Sequence, residues 1–155
     1  MPDRFVTNAS PVIALHQLGQ LQLLSNLLGD SILVPPAVSN EIITVQPRPD
    51  WLQEYPLRQP IGPQILRASL GAGESAAIAL ALELNSTLIV LDDRPARRLA
   101  KALGITVIGT LGLLLAAKRH GHVDAVRPLL DSLRQRGFYV SDALYDLVLR
   151  DAREF

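Results

Sequence analysis

Short apolar runs alternate along this chain with longer segments of helical periodicity, and this alternation restricts the fold more than any other feature. Strands are predicted at 4–7 (RFVT), 31–35 (SILVP), 88–91 (LIVL) and 105–109 (ITVIG). The intervening helices of about ten residues suit right-handed crossovers between parallel strands. The pattern predicts an α/β protein: a three-layer α/β/α sandwich with a central, mostly parallel sheet of four to five strands.

Certain residue types predict where the helices begin. Ser10 followed by Pro11 has the pattern of an N-cap and a first-turn proline, and Thr110 is expected to cap the helix LGLLLAAKRH. The run ESAAIALALEL after Gly73 consists of strong helix formers and predicts a helix. In the segment VDAVRPLLDSLRQR, Pro128 is expected to kink or break the helix.

The segment 46–63 is predicted to run irregularly over the surface. It holds five prolines and the only tryptophan, Trp51, a composition that disfavours the interiors of helices and strands. We interpret Trp51 and the nearby Tyr55 as part of a lid or of an interface.

The composition is that of one domain with a weakly charged surface. At 155 residues, the chain is predicted to form a single domain over residues 1–155. Charged residues make up 19%, below the roughly 25% of typical soluble domains. Apolar surface is therefore expected to be covered by a partner, with a homodimer as the expected symmetric assembly. The formal net charge of zero gives no global basic field, so a nucleic acid would be held by local patches.

The compartment is inferred from cysteine usage and from the absence of targeting patterns. The chain has no cysteine, which excludes disulfides and thiolate metal sites and suits a reducing cytoplasm. The start MPDRFVTNAS lacks the apolar stretch of a signal peptide. The most hydrophobic run, 105–117, is shorter than the ~18 to 20 residues of a membrane helix. We expect a cytoplasmic protein without a membrane segment.

Acidic or amide side chains stand just past the apolar runs. Asn8 follows the first strand, Glu41 closes PPAVSNE after the second, Glu74 opens the central helix, and Asp92 and Asp93 follow LIVL. In an open parallel sheet, ligands bind in the crevice beyond the carboxyl ends of the strands, so these oxygens are expected to converge on one cation. The pattern favours a magnesium-dependent phosphodiesterase site.

Each of these residues also has an ordinary structural explanation. Asn8 suits turn geometry, Glu41 suits a solvated helix face, and Glu74 in a first turn complements the helix dipole. Asp92 or Asp93 is expected to be an N-cap. Two adjacent acids exceed what a cap needs, and their repulsion favours a cation nearby.

Basic residues follow the acidic pair directly. Arg94, Arg97, Arg98 and Lys101 form either a solvated helix face or a set that holds substrate phosphates beside the metal. A second basic cluster at 118–122 complements a helix C-terminus. The histidines lack metal-ligand spacing on a common helix face, and neither a phosphate-binding loop nor a serine-hydrolase elbow is present.

The chain resembles the PIN-like domain superfamily, in particular a prokaryotic branch related to VapC-type ribonuclease toxins. The resemblance spans most of the chain and rests on NASPVIALHQLGQLQLL, VPPAVSNEI, GAGESAAIALALELN, LIVLDDRPARRLAKALGITVIGTLGLLLAAKRHG and GFYVSDAL. It implies a small α/β/α sandwich whose active relatives cleave RNA with three or four acidic residues around Mg²⁺ or Mn²⁺.

The resemblance also implies roles for individual positions. Asn8 takes the place of the usual first-strand aspartate, and Ser10 matches a hydroxyl near the metal. The acidic positions around the metal match Glu41, Glu74, and either Asp92 or Asp93.

Two functions are compatible with these residues. The first is a Mg²⁺- or Mn²⁺-dependent endoribonuclease acting on single-stranded RNA, with Arg97 and Arg98 against the phosphates and Trp51 and Tyr55 stacking on bases. Such a protein is expected to be the toxin of a toxin–antitoxin pair, bound by a small antitoxin. The second is a catalytically weak or inactive PIN-like interaction module that binds an antitoxin or nucleic acid. Asn8 favours this alternative because it removes one formal charge from the site.

Overall fold

A computed structural model describes residues 3–59, 61–67 and 70–155 and shows one five-stranded sheet. All neighbouring strands are parallel, in the order β3-β2-β1-β4-β5. The strands are β1 (Phe5–Thr7), β2 (Ile32–Val34), β3 (Leu52–Glu54), β4 (Leu88–Val90) and β5 (Thr106–Ile108). The predicted mostly parallel sheet is therefore confirmed, with five strands.

Helices connect the strands and cover both faces of the sheet. In chain order they are α1 (Ala9–Gln17), α2 (Leu23–Leu28), α3 (Pro36–Glu41), α4 (Ile61–Leu66), α5 (Ala72–Glu83), α6 (Arg94–Ala102), α7 (Thr110–Arg119), α8 (Arg127–Gln135) and α9 (Asp142–Asp151). Helices α1 and α2 pack with α7, whereas α5 packs on β1 and β4 and contacts α4 and α6. This arrangement confirms the predicted three-layer α/β/α sandwich.

The strand order creates a switch point at the centre of the sheet. From β1 the chain proceeds outward to β2 and β3, then crosses back to β4 and continues outward to β5. Val6 of β1 is therefore in register with Leu33 on one side and Ile89 on the other. The crevice beyond the carboxyl ends of β1 and β4 is the place where such sheets bind ligands.

The core lies between the sheet and the two helix layers. Leu15 and Leu24 on one side and Ile78 and Leu80 on the other are completely buried. Helix α5 is apolar around nearly its whole circumference, as suits a helix buried against the sheet and other helices. This burial fixes its N-terminus, and hence Glu74, relative to the strand ends.

Two predicted helix caps are wrong. The N-cap of α1 is Asn8, in an extended conformation (φ −85°, ψ 173°), and the N-cap of α7 is Gly109. The hydroxyl groups of Ser10 and Thr110 instead both donate to the carboxylate of Asp92. A tertiary contact has thus replaced the local cap that the sequence pattern suggested.

The segment 46–63 is less irregular than predicted. It contains the edge strand β3, which the hydrogen bonds Ile32 N–H to Trp51 O (3.1 Å) and Tyr55 N–H to Val34 O (2.9 Å) join to β2. The prolines flank these three residues without interrupting them, so the ladder keeps its donors. Residue 60 of the segment lies outside the described residues.

Pro128 does not kink a helix. It lies in the first turn of α8, where a proline ring is tolerated because its missing N–H would have no intrahelical acceptor. Within the described ranges, no helix is both long and apolar enough to cross a membrane.

Candidate active site

An open cleft of about 880 Å³ lies at the carboxyl ends of the central strands. It covers the switch point between β1 and β4, the position that strand topology favours for a ligand. Of the residues predicted for the site, those that line it are Asn8, Ser10, Glu74, Asp92, Asp93 and Arg97. Glu41 and Arg98 are not among the lining residues.

Asp92 is held by hydrogen bonds from two other elements. Its Oδ2 accepts the hydroxyl groups of Ser10 on α1 (2.9 Å) and Thr110 on α7 (2.7 Å), and its Oδ1 accepts the backbone N–H of Thr110 (2.8 Å). Bonds to an ionised carboxylate are stronger than neutral ones. The side chain therefore has one fixed orientation in the wall of the cleft.

Asp93 has a different environment from its neighbour. Its Oδ2 accepts the backbone N–H of Ala96 at 3.1 Å, so it is the N-cap of α6. Its side chain is exposed at the rim of the cleft. The two adjacent acids thus have different roles: Asp93 caps α6, whereas Asp92 accepts hydrogen bonds from Ser10 and Thr110 at the cleft.

Asn8 lines the cleft, and its buried side-chain oxygen accepts no hydrogen bond from the described residues. The residue is 2% exposed, and its backbone N–H donates to Val90 O at 2.9 Å across the β1–β4 pair. Its Oδ1 finds no donor within the described ranges and does not cap α1. Such an oxygen costs roughly 1–3 kcal/mol if it stays unpaired. The turn bond expected of an ordinary asparagine is therefore not formed, and no described donor uses the lone pairs of this oxygen.

Glu41 and Glu74 approach each other beside two glycines at the start of α5. A Cβ atom added at Gly73 would lie 2.5 Å from Oε1 of Glu41, and one at Gly71 would lie 2.6 Å from Oε2 of Glu74. Both contacts are shorter than a real Cβ atom makes, so a side chain at either position would force the carboxylate to shift. The glycines therefore allow the carboxylate at the end of α3 to reach the N-terminus of α5.

The two glutamates repel each other. Partial burial, followed by the negative charge of Glu74, raises the pKa of Glu41 above its usual range. No side chain in the described part of the molecule forms a hydrogen bond or ion pair with either carboxylate. The pair therefore carries negative charge without a cationic partner, which a bound cation would offset.

The acidic residues do not all converge. Over residues 3–59, 61–67 and 70–155, no group of three or more His, Cys, Asp or Glu side chains lies close enough to hold a metal ion. Glu41 pairs with Glu74, whereas Asp92 is bonded to Ser10 and Thr110. The cleft is thus lined by Glu74, Asp92 and Asn8, whereas Glu41 is near Glu74 but is not a lining residue.

The arginines on α6 differ in their access to the cleft. Arg97 lines the cleft, and its Nη1 donates to Leu91 O at 2.8 Å, which holds the guanidinium beside Asp92. Arg94 also lines the cleft, although the sequence interpretation placed Arg97 and Arg98 against the phosphates. Arg98 is exposed on α6 outside the lining. Among the described residues, the cationic side chains that line the cleft are thus Arg94 and Arg97.

The aromatic residues at the cleft are not those predicted. Trp51 precedes β3 and so lies at the opposite end of the sheet from the strand carboxyl ends, and Tyr55 lies under the guanidinium of Arg4, 5.5 Å from ring centre to Cζ. Neither lines the cleft, whereas Phe138 and Tyr139 do. Both lie between α8 and α9, and no pattern in the local sequence indicates that this segment reaches the cleft.

Sequence reasoning missed the role of Thr110. It is completely buried, and it lies two residues past the end of β5, as Asp92 lies two residues past the end of β4. A Cβ at the intervening Gly109 would lie 2.8 Å from Oδ1 of Asp92 and 2.7 Å from Nη1 of Arg97. The sequence signal available was a polar residue just past a strand, the same signal that identified Asp92.

The donor set suits a hard divalent cation. Carboxylate and amide oxygens are the protein ligands of Mg²⁺, which often binds through only one or two carboxylates and keeps several waters. The unpaired oxygen of Asn8 and the unneutralised Glu41–Glu74 pair fit that chemistry.

Comparison with known proteins identifies the family. The model of the family DUF3368, a PIN domain, matches residues 4–154, nearly the whole chain. A search of curated proteins finds no match. The match agrees with the parallel sheet and with the resemblance noted in the sequence. The chain belongs to the PIN-domain family.

Proposed function

We propose that this PIN domain is a divalent-metal-dependent endoribonuclease that cleaves single-stranded RNA in the cleft beyond β1 and β4. Membership of the family supports a nuclease-type site. The observation that carries the proposal is the buried, unpaired Oδ1 of Asn8, a residue that lines the same cleft as Glu74 and Asp92. An uncompensated polar atom among anionic oxygens is best explained by a cation that belongs there.

The chain's own residues would share the binding of Mg²⁺ or Mn²⁺. Glu74 and Asp92 would hold the cation directly, and Asn8 and Glu41 would act directly or through water. A divalent cation in such a site lowers the pKa of water and stabilises the charge that develops on a phosphodiester. Glu41 would orient the attacking water, and Ser10 would keep the Asp92 carboxylate in place.

Arginines on α6 would provide the positive charge that binds the phosphates of the RNA. Arg97 is held beside Asp92 by its bond to Leu91 O, and its remaining N–H groups would neutralise phosphate oxygens. Arg94 lines the same cleft and would contact a neighbouring phosphate. Arg98 does not line the cleft and would contact only RNA that extends beyond it. Asp93 would contribute by capping α6 and so fixing the start of the helix that carries these arginines.

The test is cleavage of a 5′-labelled single-stranded RNA with Mg²⁺, with Mn²⁺ and with EDTA. We expect cleavage in both metals and none in EDTA, and we expect Glu74→Gln to reduce the rate by at least about a hundredfold. Asp146→Asn, which removes one negative charge from the exposed side of α9, is the matched control and should cleave like the native protein. Undiminished turnover in Glu74→Gln, or turnover in EDTA, would rule out the proposal.

A second candidate function is a catalytically weak interaction module. It is favoured by the neutral amide at Asn8 and by the lack of a three-acid group in the described residues. Its partner would be a small antitoxin or a second copy of the chain, meeting exposed apolar side chains such as Ile43 and Leu147. If the protein is instead an active ribonuclease toxin, as in the first proposal, the same antitoxin would bind it and inhibit RNA cleavage.

Two measurements separate these functions. A metal-dependent nuclease should show a higher melting temperature in Mn²⁺ or Mg²⁺ and metal-dependent RNA cleavage. An interaction module should show neither effect, and its molar mass by light scattering should be that of a dimer or of a complex with a co-purified small protein.

A further inference from the structure

An exposed aromatic ring stands at the edge of the cleft. Tyr139 is 82% exposed and the adjacent Phe138 is half-buried, and both line the cleft. Both lie between α8 and α9, and the C-terminal part of the chain also lines the cleft with Gly137, Ser141 and Leu144. The fold gains little from Tyr139 because most of its ring contacts solvent.

The backbone that carries Tyr139 is held on both sides. Before it, Phe138 N–H donates to Leu133 O at 3.0 Å. After it, the carbonyl of the buried Val140 accepts both Nε and Nη2 of Arg134, at 3.1 and 2.7 Å. The guanidinium of Arg134 is held in turn over the ring of Tyr145, 4.3 Å from its centre. Tyr139 is thus presented on a fixed segment, and a ligand that contacts the ring does not have to order the backbone.

The cleft beside Tyr139 combines apolar and cationic groups. Val107, Ile108 and Leu111 contribute apolar surface, and Arg94 and Arg97 contribute guanidinium groups. A nucleotide has this combination of properties: the base is an apolar plane and the phosphate is an anion. Single-stranded nucleic acid is commonly bound in this way, by aromatic rings that stack on bases next to cations that contact the backbone.

We infer that Tyr139 is a base-stacking platform for the nucleotide next to the phosphodiester in the cleft. The inference rests on the proposed function only in that the cleft receives a nucleic-acid strand. It assigns the stacking role to Tyr139 in place of Trp51 and Tyr55, which lie away from the cleft. Because every base has an apolar face, the contact favours single strands without selecting a base.

The experiment measures binding without cleavage. Fluorescence anisotropy of a labelled single-stranded oligoribonucleotide is titrated with the full chain in EDTA, at low salt so that phosphate contacts are retained. An abasic oligomer of the same length is titrated in parallel, because it keeps the phosphates and lacks the bases. The variants are Tyr139→Ala, Tyr139→Phe, and the matched control Phe155→Ala, which removes another exposed ring (90% exposed) outside the cleft lining.

We expect only Tyr139→Ala to lose the difference in affinity between the base-bearing and the abasic oligomer. Native protein should bind the base-bearing oligomer at least about tenfold more tightly than the abasic one. Tyr139→Ala should remove that difference, whereas Tyr139→Phe, which keeps an aromatic ring, and Phe155→Ala should retain it. The melting temperature of Tyr139→Ala should equal that of the native protein, because the ring is exposed.

Three outcomes would overturn the inference. They are equal binding of the two oligomers by native protein, unchanged base-dependent affinity in Tyr139→Ala, and conversion of a native dimer to a monomer in Tyr139→Ala, which would place the ring in an interface between copies. A different result would refute the nuclease proposal. Base-dependent binding through Tyr139 in a protein that never cleaves RNA would sustain the stacking role and refute the catalytic one.

Discussion

Thr110 donates two hydrogen bonds to Asp92, one from its backbone N–H to Oδ1 (2.8 Å) and one from its hydroxyl to Oδ2 (2.7 Å). Asp92 therefore acts as the N-terminal cap of α7 from a different element, since the N-cap residue Gly109 has no side chain to do so. The positive end of the α7 dipole also favours the carboxylate there. One contact thus joins the end of β4 to the start of α7 and orients a cleft residue.

Thr110→Val tests the stabilising part of this contact. Valine keeps the shape of the buried side chain and removes the hydroxyl that donates to Asp92. Bonds to charged groups contribute about 1.5–3 kcal/mol, so we expect a loss of about 2 kcal/mol in the free energy of unfolding, measured with urea. Thr110→Ser keeps the hydroxyl and should lose less. If the valine variant is as stable as native protein, the bond does not stabilise the fold.

Asn8→Asp tests whether the missing charge limits the site. In EDTA, a second carboxylate buried near Asp92 without a partner should lower the melting temperature, because burial and repulsion both disfavour the ion. In Mn²⁺ or Mg²⁺, the added charge should strengthen cation binding, so the metal-induced rise in melting temperature should exceed that of native protein. RNA cleavage should increase as well. A variant with no metal-dependent rise would show that position 8 does not contact a cation.

The parts of this fold that were predictable are those determined by local sequence. Apolar runs such as 88–91 and helix formers such as those after Gly73 specify their elements with little help from the rest of the chain, and both are confirmed. Strand β3 was missed because three residues between prolines carry too weak a local pattern, and pairing with β2 forms the strand. Within one sheet, β4 is therefore specified by its local sequence, whereas β3 depends on pairing with β2.

The site was less predictable because its contacts join distant parts of the chain. The bond from Ser10 to Asp92 spans 82 residues, and local rules assigned the Ser10 hydroxyl to a helix cap instead. The approach of Glu41 to Glu74 depends on Gly73, whose role appears only once α3 and α5 are packed together. Sequence position indicated which side chains reach the carboxyl edge of the sheet, but packing decides which of them touch.

Gly73→Ala tests the approach of Glu41 to the start of α5. The added Cβ would lie 2.5 Å from Oε1 of Glu41, so the carboxylate must move away from Glu74. Because that carboxylate is the far end of a flexible side chain, we expect the free energy of unfolding to change by less than about 1 kcal/mol. The metal-induced rise in melting temperature should decrease.

The matched control for Gly73→Ala is Gly62→Ala on α4. There the added Cβ would meet Cβ of Ala79 at an ordinary 3.7 Å, outside the cleft. Its metal response should equal that of native protein. An unchanged metal response in Gly73→Ala as well would show that the position of Glu41 is unimportant for cation binding.

Glu154 joins the C-terminus to α8 and gives the fold a pH-dependent contribution to stability. Its carboxylate accepts the backbone N–H groups of Val126 (2.8 Å) and Arg127 (3.0 Å) and pairs with Lys118 (2.9 Å). Burial acts to raise the pKa of Glu154, but the hydrogen bonds from Val126, Lys118 and Arg127 and the charge of Lys118 outweigh it and lower the pKa below 4.5. A lowered carboxyl pKa stabilises the fold fully above the unfolded-state value, and that stabilisation is lost as the pH falls through the folded-state value.

Glu154→Gln should therefore destabilise the protein at pH 7 and matter progressively less in acid. We expect a loss of about 2 kcal/mol at neutral pH, as for other hydrogen bonds to charged groups. The difference in urea-unfolding free energy between native protein and variant should begin to shrink near pH 4.5, where the unfolded carboxylate takes up a proton, and should keep shrinking as the pH falls through the lower pKa of the folded carboxylate. Asp151→Asn, at an exposed position near the same end of the chain, is the control and should change stability little at any pH. A native–variant difference that stays constant from pH 7 to pH 3 would show that the ionised form of Glu154 contributes nothing beyond its neutral hydrogen bonds.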